Sequence, residues 1–126
     1  MPRILIIDDN AELLRSTSAV LRALKHDVAT APNGAEALKR TDLDTFQLVI
    51  TDILMPEKEG FETIMTLRQN HPTVKIIAVS GGGYIDAKQY LENAQMLGAH
   101  LTLEKPFSGL ELSVAIDKVL GAQAKG

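Results

Sequence analysis

The sequence lacks cysteine, an excess of basic residues and any long apolar run. With no cysteine among its 126 residues, it cannot form disulfides, thiolate metal sites or a cysteine nucleophile. A net charge of −3 provides no basic surface of the kind that binds nucleic acid or anionic lipid. No stretch approaches the roughly 20 apolar residues needed to span a bilayer, and the N-terminus carries no secretory pattern. We therefore expect a single domain, soluble and cytoplasmic.

The chain does contain short apolar runs that alternate with longer amphipathic stretches. Most of the runs are continuous rather than alternating, which is typical of strands covered on both faces of a parallel sheet. Repeated strand–helix units predict an α/β fold, a doubly wound five-stranded parallel sheet with helices on both faces. The predicted strands are Ile4–Ile7, Val28–Ala31, Leu48–Ile50, Val74–Val79 and Leu101–Leu103.

Capping residues and breakers bound five predicted helices. The first begins after Asn10 and is expected to bury the stripe Leu13, Thr17, Val20, Leu21 and Leu24. The others open at Asn33, run from about Glu59 to Asn70, run from near Asp86 to Gly98, and open at the capping box Ser108–Glu111. The last helix should bury Leu112, Ala115, Ile116, Val119 and Leu120. We expect residues 1–121 to form the domain and residues 122–126 to form a short flexible tail.

Polar side chains follow four of the predicted strands. They are Asp8 and Asp9, Asp52, Ser80 and Lys105. Taken singly, each has an ordinary explanation as a helix cap, a turn residue or surface polarity. Because ligands bind beyond the carboxyl ends of parallel strands, however, their shared position indicates a site. Two adjacent carboxylates about 4 Å apart repel by roughly 4 kcal/mol, so something must offset the acid pair.

In order and spacing, these residues resemble the receiver domain of two-component response regulators. The resemblance rests on Asp8-Asp9, on Asp52 in "VITDILMPEKEG", on Ser80 in "AVSGGG" and on "KPF" at Lys105. It covers residues from about 3 to 120. It implies the flavodoxin-like strand order 2-1-3-4-5 and a single-domain response regulator.

The resemblance assigns a role to each site residue. Asp52 would be the phosphoacceptor, and a carboxylate can accept a phosphoryl group as an aspartyl phosphate. Mg²⁺ (or Mn²⁺) would be held by Asp8, Asp9, Asp52 and the backbone carbonyl of Ile53, in keeping with the preference of Mg²⁺ for oxygen ligands. A bound dication would then make the acid pair tolerable.

The resemblance also assigns residues to the phosphoryl group itself. Ser80 would hydrogen-bond a phosphoryl oxygen, and Lys105 would form an ion pair with the group as a compact point charge. The Lys105–Pro106 peptide would be cis.

The sequence departs from the family pattern at the switch. Thr102 stands where the family has an aromatic residue, so we expect motion of the Gly81–Gly83 loop to carry the signal. Leu54 and Gly82 occupy the positions that tune phosphoryl lifetime in the family. Because Leu54 cannot orient an attacking water, we expect a long-lived phosphoryl group.

The resemblance implies a sensor histidine kinase or a histidine phosphotransfer protein as partner. A downstream effector protein would bind the face formed by the fourth helix, fifth strand and fifth helix, with no nucleic acid and no membrane involved. The chain would not be an enzyme, although it would assist its own phosphorylation and dephosphorylation.

Two other functions stay open. An aspartate-nucleophile phosphatase uses similar chemistry, but it usually has an Asp-x-Asp after its first strand, which Asp8-Asp9-Asn10 fits poorly. A P-loop nucleotide binder is unfavoured because the chain has no G-x-x-x-x-G-K-[ST] motif. A docking module that no longer accepts phosphate is the remaining alternative, and the presence of all five site residues argues against it.

Overall fold

The computed structural model of the protein describes residues 2–53, 59–81, 92, 95 and 98–121. Five parallel strands form one sheet in the order β2-β1-β3-β4-β5, which confirms the predicted flavodoxin-like topology. The elements are β1 (Arg3–Ile7), α1 (Ala11–Ala23), β2 (Asp27–Ala31), α2 (Gly34–Leu38), a 3-10 turn (Leu43–Thr45), β3 (Leu48–Asp52), α3 (Glu59–Asn70), β4 (Lys75–Gly81), β5 (Leu101–Lys105) and a C-terminal helix (Gly109–Ile116) that continues as a π-helical turn (Asp117–Gly121).

Three strands extend further than their apolar runs predict. β3 continues to Asp52, β4 to Gly81 and β5 to Lys105. The polar ends stay in the sheet because strand pairing uses backbone groups, whatever the side chain. Asp52 is the register partner of Val79, and Gly81 is the partner of Lys105. The polar side chains are therefore held by the sheet itself rather than by loops.

The sheet is covered by an apolar layer on each face, as the continuous runs predict. Successive residues of β1 alternate between the layers, with Leu5 in one and Ile6 in the other. The first layer includes Ile64 of α3, and the second includes Leu21 of α1 and Ile116 of the C-terminal helix. Because burial of one such side chain contributes about 1.5–3 kcal/mol, these two layers hold the strand ends in place.

The predicted buried stripe of α1 is partly wrong. Val20 and Leu24 are 36% and 45% exposed, whereas Ser18 is buried beside Thr17 and Leu21. The buried face of α1 therefore includes Thr17 and Leu21 as predicted, but it extends to Ser18 rather than to Val20. Leu24 lies just beyond the last helical residue, Ala23, and serves as the C-cap.

The predicted helix starts are confirmed at three positions. Asn10 caps α1, Asn33 caps α2, and Ser108 forms a reciprocal capping box with Glu111. The last helix buries Leu112, Ala115 and Ile116, while Val119 and Leu120 are partly buried.

Most of the predicted helix from Asp86 to Gly98 lies outside the described residues, as do Leu54, Gly82 and the tail 122–126. Of that helix, Glu92 and Gln95 are helical. Gly98 has a φ of +129°, a backbone conformation that suits glycine at a helix end. Among the described residues, no helix is both long enough and apolar enough to cross a bilayer.

Candidate functional site

Asp8 and Asp9 directly follow β1 at the edge of the sheet. The Asp8 backbone N–H donates to the Ala31 carbonyl at 3.2 Å, which prolongs the pairing with β2 beyond the end of β1. The Asp8 Oδ1 atom accepts from the Asn10 backbone N–H at 2.9 Å. Asp8 is therefore held both by its backbone N–H and by its carboxylate. Its side chain is buried, whereas Asp9 is exposed.

Lys105 joins the ends of three strands. Its Nζ atom lies 2.9 Å from Asp8 Oδ2 and 2.9 Å from Asp52 Oδ2. Both carboxyl groups are nearly buried, at 4% exposed for Asp8 and 5% for Asp52, and Lys105 is half-buried. The structure thus brings together the first, third and fifth strand ends as the sequence predicts.

The Lys105 ammonium is stabilised in its charged form. Burial alone lowers the pKa of Lys105, but hydrogen bonds and charge from Asp52 and Asp8 outweigh it, so the pKa is raised. Lys105 therefore stays protonated at neutral pH. Among the described residues, one ammonium thus contacts two of the three carboxyl groups in this cluster, those of Asp8 and Asp52.

The three aspartates form a set of donors suited to a hard cation. Each contributes a carboxylate oxygen, and these oxygens all lie within 4.8 Å of one another. Mg²⁺ is bound in proteins by one or two carboxylates together with phosphate and water oxygens, so this donor set fits it. The next residue, Ile53, is fixed by a hydrogen bond from its backbone N–H to the Val79 carbonyl at 3.0 Å. This bond fixes the peptide unit between Asp52 and Ile53 beside β4.

Ser80 brings a buried hydroxyl to the same edge of the sheet. It is fully buried on β4, one residue beyond the register partner of Asp52. Its Oγ atom has no hydrogen-bond partner among the described residues. An unsatisfied buried polar group costs about 1–3 kcal/mol, and an acceptor such as a phosphoryl oxygen would remove that cost.

The other predicted residues contribute less to this geometry. Thr102 lies on β5, three residues before Lys105, and is half-buried. The Lys105–Pro106 peptide is cis, in agreement with the prediction. Leu54 and Gly82 are outside the described residues, so the predicted phosphoryl lifetime and loop motion stay predictions.

The sequence reasoning missed Gly60, the second residue of α3. A methyl group on its Cα would overlap Ile53 Cα and lie 2.8 Å from the Asp52 carbonyl oxygen. The available signal was a glycine in the first turn of a helix, where alanine is the better helix former.

The comparisons with known proteins agree with this geometry. A model of the response regulator receiver domain matches residues 4–117, so the chain belongs to the response regulator receiver family. The transcriptional regulatory protein CpxR of Escherichia coli K12 is 36% identical over 120 residues, covering 95% of this chain and 50% of CpxR. The chain thus spans about half the length of the curated relatives that it matches.

Solved structures show the same fold along nearly the whole chain. A response regulator receiver domain protein from Clostridium thermocellum has a TM-score of 0.88 at 26% identity, covering 98% of both chains. A CheY-like receiver domain protein from Methanospirillum hungatei has a TM-score of 0.83 at 30% identity, covering 99% of this chain and 98% of the other. The fold and the site therefore agree with the family assignment.

Proposed function

We propose that Asp52 accepts a phosphoryl group in a Mg²⁺-dependent reaction, from a sensor histidine kinase or a histidine phosphotransfer protein. The observation that carries the proposal is the position of Lys105, whose Nζ atom lies 2.9 Å from carboxylate oxygens of both Asp8 and Asp52. A cation held against a buried acceptor carboxylate can stabilise the negative charge of an incoming phosphoryl group.

The proposed transfer balances as a simple displacement. A carboxylate oxygen of Asp52 attacks phosphorus, the bond from phosphorus to the donor imidazole nitrogen breaks, and the imidazole takes up a proton. The product is an aspartyl phosphate, in which the transferred oxygens need charge stabilisation. When bound, Mg²⁺ would neutralise part of the phosphoryl charge, and Asp8, Asp9, Asp52 and the Ile53 carbonyl would hold it.

Two residues of this chain would bind the transferred group. Lys105 would move from its carboxylate partners to a phosphoryl oxygen, and the Ser80 hydroxyl would donate to another. Both groups are already at the same edge of the sheet as Asp52. In this proposal the chain is a phosphoacceptor that assists its own phosphorylation and dephosphorylation rather than an enzyme.

We further propose that output passes through protein contacts at β5 and the C-terminal helix. This surface includes Leu110 and Val114, which are 75% and 45% exposed, beside the half-buried Thr102. A second candidate output is control of transcription, because CpxR, which is named a transcriptional regulatory protein, is 36% identical to this chain over 120 residues.

Intact-mass spectrometry tests the proposed chemistry. Incubation with acetyl phosphate and Mg²⁺ should add about 80 Da to the parent chain. Asp52→Asn should gain nothing, while the exposed-residue control Asp117→Asn should gain the same mass as the parent. A chelator should abolish the gain.

The alternatives give different results in the same experiment. An unchanged parent mass would contradict the proposal and favour the docking module. Continuous release of inorganic phosphate from simple phosphate esters, over many turnovers, would favour the phosphatase.

A further inference from the structure

β2 forms one outer edge of the sheet. It pairs with β1 on its inner side, and no strand of the described chain lies on its outer side. The Asp27 backbone N–H faces inward, because it donates to the Pro2 carbonyl at 3.0 Å. Backbone groups point to opposite sides at successive residues of a strand, so the N–H and C=O groups of Val28 and Thr30 face outward. This edge therefore presents backbone donors and acceptors to the outside of the sheet.

The Val28 carbonyl on this edge is covered by a side chain of α1. Arg22, in the last turn of the helix, donates from Nη2 to that carbonyl at 3.2 Å. A cation in the last turn of a helix is favoured by the helix dipole, which is the ordinary explanation of such a residue. The dipole does not require the side chain to reach across to the neighbouring strand, however. The hydrogen bond to β2 indicates a second role, at the edge of the sheet.

With that carbonyl free, the edge of β2 would be complementary to the same edge of a second copy of the chain. Antiparallel pairing centred on Ala29 would set Val28 opposite Thr30 of the other copy, where the two residues can exchange both backbone hydrogen bonds. Like charges would not oppose the pairing, because Asp27, the charged residue of β2, is already paired with Arg3 at 3.1 Å. The Val28 carbonyl is one of the acceptors that this pairing needs.

We propose that Arg22 keeps the outer edge of β2 closed to strand pairing with a second copy of the chain. Its guanidinium occupies the Val28 carbonyl as an acceptor. It also adds a positive charge at what would be a two-fold contact, where each such charge would meet its counterpart from the other copy. The inference is independent of metal binding and of phosphorylation. It leaves association of the chain to surfaces other than this edge.

Sedimentation equilibrium of two arginine variants tests the inference. Arg22→Ala and Arg15→Ala remove the same charge from the same helix, and Arg15 is exposed, so the second variant is the matched control. With both variants shown to be folded by circular dichroism, the self-association constant of Arg22→Ala should be at least about tenfold larger, a factor that corresponds to about 1.4 kcal/mol. Arg15→Ala should stay within about twofold of the parent value. Equal association constants for the two variants would overturn the inference.

A second substitution locates the contact. Thr30→Pro removes an N–H group that faces outward and that the sheet does not use, and proline is tolerated on edge strands for that reason. Combined with Arg22→Ala, it should return the association constant to within about twofold of the Arg15→Ala value. If the combined variant associates as strongly as Arg22→Ala alone, the contact does not use the edge of β2 and the inference is wrong.

Hydrogen exchange keeps the inference testable if the combined variant does not fold. In Arg22→Ala, protection of the Thr30 amide should rise at least about tenfold as the protein concentration enters the associating range, whereas in Arg15→Ala it should not change with concentration. Thermal unfolding at low concentration measures the contact with the helix dipole, whose loss should lower the Tm of Arg22→Ala. A lower Tm with no gain in self-association or in Thr30 protection would leave the dipole as the full explanation and overturn the inference.

Discussion

Lys105 shows how one side chain makes a cluster of acids compatible with a folded core. The sequence indicated that something must offset the repulsion between adjacent aspartates, and the family resemblance implied a bound dication. The structure adds a second answer, because the Lys105 ammonium lies between Asp8 and Asp52 at 2.9 Å from each. The lysine is thus a partner of the carboxylates as well as the proposed partner of the phosphoryl group.

Replacement of Lys105 by methionine should destabilise the metal-free protein. Removing one partner of a buried ion pair costs about 3–5 kcal/mol, and the partial exposure of Lys105 reduces this to roughly 2–3 kcal/mol. Urea unfolding followed by circular dichroism, which suits a chain without tryptophan, measures the loss. Mg²⁺ should stabilise Lys105→Met more than it stabilises the parent, because the carboxylates have lost their internal cation.

The matched control is Lys118→Met, the same change at an exposed lysine. Its free energy of unfolding should stay within about 0.5 kcal/mol of the parent value, with or without Mg²⁺. Equal stability of Lys105→Met and Lys118→Met would show that the Lys105 ion pairs contribute nothing.

At the scale of elements, His100 connects β4 to the start of β5. The Ile76 backbone N–H donates to His100 Nδ1 at 3.1 Å, and the His100 backbone N–H donates to the Ile76 carbonyl at 2.8 Å. The imidazole thus accepts a bond that a backbone carbonyl accepts elsewhere in the sheet. It can do so only while Nδ1 is unprotonated. β4 carries Ser80 and β5 carries Lys105, so this contact supports both strands of the site.

The stability of this connection should fall with acid. Burial, followed by the positive charges of Lys75 and Arg68, lowers the pKa of His100 below its usual 6.5. Above pH 6.5 both the folded and the unfolded chain hold a neutral imidazole, so the full stability is present. Below it the unfolded chain takes up the proton first, and stability is lost until the pH falls through the folded-state pKa.

Unfolding measurements from pH 8 to 5 on the parent and on His100→Asn test this expectation. The parent should lose stability more steeply, by up to about 1.4 kcal/mol per pH unit, because only the parent titrates at position 100. The Ile76 amide should also lose hydrogen-exchange protection as the pH falls. Identical slopes for the two proteins would refute a role for His100 in this pH range.

At the scale of the whole molecule, the pattern of apolar residues predicted the architecture, but side-chain contacts needed coordinates. Continuous apolar runs predicted five strands covered on both faces, and the structure confirms them. Hydropathy could not predict that β3 and β5 extend through Asp52 and Lys105, because backbone pairing continues where the side chains become polar. Val20 is 36% exposed, although the pattern placed it on the buried face of α1, because it faces Gly109, which has no side chain to cover it.

The site itself was predictable as a set of residues, while its internal bonding was not. The strand ends placed the acids, the serine and the lysine at one edge of the sheet. The contact of Lys105 with Asp8 joins residues 97 positions apart, and its contact with Asp52 joins residues 53 apart. Such contacts depend on tertiary packing. The approach of Gly60 to Ile53 has the same origin.

The central claim is that the aspartates at the strand ends form one pocket for a dication beside the phosphoacceptor. The most direct test is a crystal structure of the chain soaked with Mn²⁺, which anomalous scattering locates without reference to the protein density. An ion should be bound among Asp8, Asp9 and Asp52, either directly by their carboxylate oxygens at about 2.1 Å or through bound water. The claim would be contradicted if, at a saturating concentration, Mn²⁺ bound elsewhere on the chain and not at these three carboxylates.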